Sequence, residues 1–242
     1  MYEKVGKANK VAPVFKYPFG ESVGRGKDSV VFPFRGNDKF VVKVNHSFRK
    51  EVTSPEMIKH RESELQYKKR KYETLSYFLG RFVPRSFFVL SEQKDGVYMR
   101  VKGYTIQERV PDVKFSDLTN EQLNGPRLIK NMHELITRLI FMNRMVDRIN
   151  KSVPKKAQID VRLDLGPISQ IVDDALYKDQ SYFSVDARDL ASFKSPNILI
   201  DPDTMDIYCV DFGKGFWSDD KEATTLLLAS IARREKDLER TS

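Results

Sequence analysis

Hydrophobic and polar positions change their rhythm along the chain. From Phe19 to Val44 the pattern is that of strand, turn, strand, turn, strand. Ser29-Val30-Val31-Phe32-Pro33-Phe34 is apolar and β-branched, Arg35-Gly36-Asn37-Asp38 has turn chemistry, and Lys39-Phe40-Val41-Val42-Lys43-Val44 resumes the strand, which predicts an antiparallel meander. Residues 1–17 are Lys-rich without periodicity and read as a loose lead-in or an edge segment. Ser54-Pro55-Glu56 supplies an N-cap, a proline at the first helical position and an early acid, opening a helix that runs towards Gly80 with Leu65, Tyr72, Leu75 and Leu79 on one face. Beyond Pro84, Ser86-Phe87-Phe88-Val89-Leu90 and Val97-Tyr98-Met99-Arg100-Val101 flank Gln93-Lys94-Asp95-Gly96, a hairpin signal. A third segment, residues 104–110, ends at Pro111.

After Pro111 the rhythm becomes helical. Leu128, Met132, Leu135, Leu139, Met142, Val146 and Ile149 recur at steps of four and three, and Ile129, Ile136 and Ile140 widen the stripe, as in a buried core helix rather than a coiled-coil seam. Residues 151–166 read as a polar connector, 167–178 as a short amphipathic helix and 182–185 as a short strand. Two further strands, residues 197–200 and 206–210, are joined by the turn Asp201-Pro202-Asp203-Thr204. The segment after Gly213 is mostly one charged helix. These elements predict an α+β fold of two lobes, a β-rich one over residues 1–110 and a reduced, mainly helical one over residues 111–242.

Composition narrows the classes. A chain of 242 residues, 40% apolar, is long enough for a genuine core. Its one cysteine, Cys209, lies in the apolar run Ile207-Tyr208-Cys209-Val210, so neither an intramolecular disulfide nor a cysteine metal cage can form. The start of the chain leads into no apolar stretch of signal-peptide length, and no later stretch approaches the ~20 apolar residues of a membrane span; a cytoplasmic protein is expected. Forty-two Lys and Arg against 34 Asp and Glu give a net charge of +8, which favours polyanions such as nucleotides, nucleic acid or anionic lipid without choosing among them. The basic runs Lys68-Lys69-Arg70-Lys71, Lys155-Lys156 and Arg233-Arg234 each have acids close by and read as solvated faces. His46, His60 and His133 have no zinc-ligand spacing.

Three short motifs bear on chemistry. Gly24-Arg25-Gly26-Lys27-Asp28-Ser29-Val30-Val31 joins the first two strands instead of opening a helix, which suits neither a dinucleotide fold nor a Walker loop. A flap whose glycines let backbone N–H groups approach phosphate oxygens fits the position, as does an ordinary hairpin. Lys43 stands in Phe40-Val41-Val42-Lys43-Val44, where a strand buries its neighbours, and taken alone it reads as a lysine pointing outward from an edge strand. Asn197 is followed 14 residues later by Asp211-Phe212-Gly213, at the far end of the next strand. An Asn and an Asp on the two arms of a hairpin can converge on one hard cation such as Mg²⁺, which takes oxygen ligands and retains waters.

In that order, glycine flap, strand lysine, helix, hinge, long helix, Asn-Ile-Leu and Asp-Phe-Gly, the chain resembles the protein-kinase-like superfamily over roughly residues 20–216. The resemblance implies ATP between the two lobes. It implies that Gly24, Gly26 and Ser29 cover the phosphates with Val31 just beyond, and that Lys43 pairs with the α- and β-phosphates. Asn197 and Asp211 would hold Mg²⁺, and the backbone of Glu108 to Val110 would receive the adenine edge. The carboxylate partner of Lys43 would be Glu73, ahead of Glu62 and Glu64.

The departures from the pattern bear on activity. The family's catalytic Asp stands five residues before the Asn, where this chain has Ser192; Arg188-Asp189-Leu190 reproduces Arg-Asp-Leu three residues too early. No Ala-Pro-Glu follows Asp-Phe-Gly, and the remaining 29 residues are too few for the large helical subdomain of conventional protein kinases, so a compact divergent member or a truncated chain is expected. Three functions stand open. One is an ATP·Mg-dependent phosphotransferase acting on a protein or small molecule, with Asp189, or Asp186 if the loop bends differently, orienting the acceptor hydroxyl. Another is a pseudokinase that binds nucleotide as a scaffold for a protein partner. The third is a basic nucleic-acid-binding module, disfavoured because Phe87-Phe88 reads as core strand.

Overall fold

The computed structural model describes residues 21–25, 29–45, 54–95, 98–159, 163, 165–177 and 197–210, together with 224, 228 and 230. The chain divides into two units, Met1–Lys69 with Arg85–Arg109 and Arg70–Pro84 with Val110–Ser242. The architecture is α+β, with an antiparallel sheet in the first unit and helices in the second.

In the first unit, strands β1 (Gly24–Arg25), β2 (Ser29–Pro33), β3 (Phe40–Asn45), β4 (Ser86–Asp95) and β5 (Tyr98–Glu108) form an antiparallel sheet of order β1-β2-β3-β5-β4 among the described residues. The turn between β2 and β3 forms because Gly36 takes φ +89°, a left-handed conformation that costs glycine nothing. Asn37 holds it, its side chain accepting from the Lys39 N–H at 3.0 Å and its carbonyl from the Phe40 N–H at 3.2 Å. Residues 98–108 form one continuous strand through Lys102-Gly103, not two segments, because each residue from Tyr98 to Gln107 has a partner on β4.

Cross-strand register sorts the side chains by face. Val30, Val44 and Tyr104 align, as do Phe32, Val42 and Ile106. Of these, Val30, Phe32, Val42, Val44 and Tyr104 are buried and form the apolar cluster of this unit. Phe88 is buried, whereas Phe87 is 50% exposed beside Phe40, ring centroids 6.2 Å apart. The Phe pair is therefore only half core, since successive strand residues point to opposite faces.

Helix α1 (Pro55–Leu79) begins where predicted: the Ser54 side chain accepts from the Met57 N–H at 3.3 Å. Gly80, at φ +58°, lets the chain leave the helix into a short 3₁₀ turn, Gly80–Phe82. Lys71 is 5% exposed, so the basic run 68–71 is not a solvated face throughout. The helix turns successive residues by about 100°, and a run of four necessarily presents one of them to each side. Lys68 does pair outward, with Glu64 at 3.2 Å.

The second unit is organised by helix α2 (Asn120–Leu123), helix α3 (Pro126–Ser152), helix α4 (Pro167–Tyr177) and the hairpin β6 (Ile198–Ile200) and β7 (Ile207–Cys209). The stripe predicted on α3 is the core: Leu128, Met132, Leu135, Ile136 and Met142 are fully buried. Leu75, Leu79, Phe82, Phe115, Leu165, Ile168 and the hairpin residues Ile198, Ile200, Ile207 and Cys209 pack with them. Residues 151–166, predicted as a polar connector, also contribute, with Ala157, Ile159, Leu163 and Leu165 buried. The segment is tied down by Asn150, which donates to the Ile159 carbonyl at 2.8 Å and accepts from its N–H at 2.9 Å. Its apolar residues are too sparse to show a period. The predicted strand 182–185 and the basic pair Arg233-Arg234 lie outside the described residues. Among those described, no helix is long and apolar enough to cross a membrane.

Candidate functional site

Residues singled out from the sequence lie in both units. In the first, Lys43 aligns with Val31 on one side and Thr105 on the other. These residues occupy the sheet face opposite the apolar cluster, because their register positions alternate with Val42 and Val44. Lys43 is half-buried there, with Val41 and Gln107 buried on the same face. The Gln107 amide is engaged by Ser86, Nε2 to Oγ 3.1 Å. Gly24 pairs with Val31 at the start of the sheet. A methyl group added at Gly24 would meet the Val31 Cβ at 3.6 Å, an ordinary contact, so nothing in the described sheet demands glycine at this position. Ser29 begins β2 and is half-buried, while Gly26 lies outside the described residues.

The segment at the end of β5 is fastened by its backbone. The Glu108 N–H donates to the Arg85 carbonyl at 2.7 Å and the Arg109 N–H to the Lys39 carbonyl at 2.8 Å. The Glu108 carboxylate receives the Arg85 guanidinium through two contacts, 3.2 Å from Nε and 3.0 Å from Nη2. That hydrogen bond holds its pKa below the ordinary glutamate value, against a smaller opposing effect of burial. Among the described residues the Val110 N–H makes no hydrogen bond, and Pro111 beyond it has no N–H to offer. Of the three backbone donors in this segment, the one at Val110 has no partner among the described residues.

Asn197 and Asp211 gain a geometric relation from the hairpin. The β6–β7 register pairs Ile198 with Cys209 and Ile200 with Ile207. One step further out, the Val210 N–H donates to the Asn197 carbonyl at 2.9 Å. The hairpin therefore brings Asn197 alongside Val210, the residue that immediately precedes Asp211 in the chain. Asp211 itself, like Asp186, Asp189 and Ser192, lies outside the described residues. Glu62, Glu64 and Glu73 are each half-buried on α1. Among the described residues, no three His, Cys, Asp or Glu side chains gather as a metal site. Cys209 is buried, and burial pushes its thiol pKa up to about 12, far from a reactive thiolate.

A set of polar residues behind the hairpin escaped the sequence reading. Asp201 Oδ1 accepts from the N–H groups of Asp203 and Thr204 at 2.9 and 3.1 Å, and the turn closes through Met205, which takes the left-handed φ of +55°. Asn131, buried on α3, donates from Nδ2 to the Met205 carbonyl at 2.6 Å and accepts from Arg81 Nη2 at 2.7 Å. Arg81 also reaches Asp206 at 3.0 Å and Glu134 at 2.7 Å, and Glu134 pairs with Arg138 at 3.0 Å. Burial raises the pKa of Glu134, but the Arg81 hydrogen bond and the charges of Arg81 and Arg138 outweigh it, leaving the pKa below the ordinary value. The one signal in the sequence was an asparagine interrupting the apolar stripe of α3, at a position where a polar residue has to find partners.

No family model and no curated protein sequence matches the chain. Among solved structures it is similar to the crystal structure of aminoglycoside phosphotransferase APH(4)-Ia. The two are 14% identical over an alignment covering 90% of this chain and 78% of that one, with a TM-score of 0.36. So slight a likeness decides neither fold nor chemistry.

Proposed function

We propose that the chain is an ATP·Mg-dependent phosphotransferase of the protein-kinase-like superfamily. The observation that carries this is the hairpin register, which puts Asn197 beside Val210, the residue that precedes Asp211 in the chain. Two further features support it: Lys43 on the sheet face that the apolar cluster does not occupy, and the N–H of Val110, without a partner among the described residues, where the resemblance puts the adenine edge. Asn197 and Asp211 would hold Mg²⁺, whose charge offsets that of the nucleotide phosphates.

The chain's own residues then have distinct tasks. Lys43 binds phosphate oxygens through its ammonium, a charge-assisted contact, and Gly24 and Gly26 leave room for backbone N–H donors beside them. Asp189, with Asp186 in reserve, accepts the proton of the acceptor hydroxyl on a carboxylate oxygen, which requires an approach of about 2.6–3.2 Å. Ser192, five residues before Asn197, favours a second reading. A neutral hydroxyl accepts a proton poorly, and a chain that relied on it would be a nucleotide-binding scaffold without turnover.

Mg-ATP should raise the melting temperature of the parent protein, an effect equivalent to about 2.7 kcal/mol at a hundredfold excess over Kd. Asp211→Asn should lose most of that shift, and an undiminished shift would remove the metal assignment. Release of ADP in the presence of an acceptor separates the enzyme from the scaffold. On the enzyme reading Asp189→Asn keeps the thermal shift and lowers turnover by about 10²–10⁴-fold.

A further inference from the structure

The second unit contains a cavity of about 310 Å³. It lies where the last three turns of α3, the 3₁₀ turn Lys155–Ala157 and the end of α4 come together. Helix α3 lines it with Asn143, Asp147 and Asn150, spaced four and three residues apart and therefore on one face. Asn150 is occupied in holding Ile159, and its carbonyl accepts from Gln158 Nε2 at 3.0 Å.

The other two α3 residues present acceptors. Asn143 is only 7% exposed, and its Nδ2 donates to the Leu139 carbonyl at 2.9 Å. Its Oδ1 accepts no hydrogen bond among the described residues. Asp147, one turn on, is half-buried and makes neither an ion pair nor a hydrogen bond among the described residues. A carboxylate and one amide oxygen are too few for a hard metal ion, which takes six or more oxygens. They suit an ammonium, which carries three donors. The exposed Lys155 on the 3₁₀ turn, likewise without an ion pair among the described residues, offers the opposite charge. Leu176 and the 69% exposed Tyr177 supply an apolar wall.

From these observations we infer that the cavity binds a free apolar α-amino acid. Its ammonium donates to the Asp147 carboxylate and to Asn143 Oδ1, its carboxylate faces Lys155, and its side chain lies against Leu176 and Tyr177. The site uses none of the residues assigned to nucleotide or metal, so it stands or falls separately from the proposed phosphotransferase activity.

Calorimetric titration of the full chain, without nucleotide, with L-leucine, L-phenylalanine, N-acetyl-L-leucine and L-leucinamide tests it. Saturable binding of at least one of the two amino acids below about 10 mM is expected, with none for the acetylated compound, whose nitrogen carries no charge. Asp147→Asn should weaken the amino acid by about tenfold or more. Lys155→Gln should weaken the amino acid but leave leucinamide unchanged, because leucinamide has no carboxylate to lose. If Asp147→Asn fails to fold, the exposed Lys155→Gln and the acetylated ligand decide. Absence of binding by both amino acids, equal binding of N-acetyl-L-leucine, or affinity indifferent to both substitutions would overturn the site.

Discussion

Lys43 shows how much one strand position is determined by its neighbours. Flanked by Val42 and Val44, which are 1% and 4% exposed, it has to face the other side of the sheet, where Val31 and Thr105 accompany it. Replacing it should therefore spare the apolar cluster. Lys43→Met is expected to keep the fold and to weaken Mg-ATP by about tenfold or more, the worth of a hydrogen bond to a charged group; a fluorescent-nucleotide titration with unchanged affinity would remove the residue from the site. Glu108 makes a different kind of prediction. Its carboxylate is held below its ordinary pKa chiefly by the Arg85 hydrogen bond, so the folded state favours the ionised form. The stabilisation is complete above the unfolded-chain value of about 4.3 and is lost as pH falls through the lower folded value. Glu108→Gln should consequently lose less stability than the parent between about pH 5 and pH 3, measured by urea unfolding. Parallel acid slopes would show that the pair contributes nothing.

At the scale of elements, the β6–β7 hairpin is too short to hold itself. Three residues per strand and a turn containing a left-handed methionine need support from outside. The support comes from Asn131 on the carbonyl of Met205, from Arg81 on Asp206, and from the Ile200 N–H donating to the Val113 carbonyl at 2.8 Å. Asn131 is the critical member because it is buried and bridges the turn to Arg81. Asn131→Ala should cost about 1–3 kcal/mol in denaturant unfolding, the penalty of leaving a largely buried polar group unmatched. If the hairpin orients Asn197 and Asp211 as proposed, the same variant should weaken Mg-ATP while leaving the chemistry of both residues intact. Unaltered stability would mean that the turn holds its shape without α3.

For the molecule as a whole, the two units have separate apolar clusters of unequal size. The helical unit buries its apolar side chains around α3, while the cluster of the sheet unit has five buried members among the described residues. Leu135→Ala, at a site with no exposure, should cost about 2–5 kcal/mol, since the helices cannot collapse fully into the space. Val42→Ala removes about two methylene equivalents and should cost nearer 1.5 kcal/mol. Equilibrium unfolding of both variants checks the ranking, and a reversed order would mean that the sheet cluster is the better packed.

How much of this the sequence settled depends on the distance over which the deciding forces act. The N-cap at Ser54, the turn at Gly36, the long apolar stripe of α3 and the Asp201 turn are local: each depends on residues within a few positions, so the sequence alone specified them. The same holds for the α+β division, which follows from the change of hydrophobic period near Pro111. Strand order did not follow, because β3 pairs with β5 across an intervening helix and strand, and only the closed sheet chooses that neighbour. Nor could the sequence show that Lys71 and Ile159 are buried, that Phe87 is not, or that Asn131 and Arg81 fasten a turn more than 70 residues after Asn131. Those outcomes depend on which surfaces meet once distant segments are packed, and burial, unlike a cap or a turn, is a property of the assembled chain.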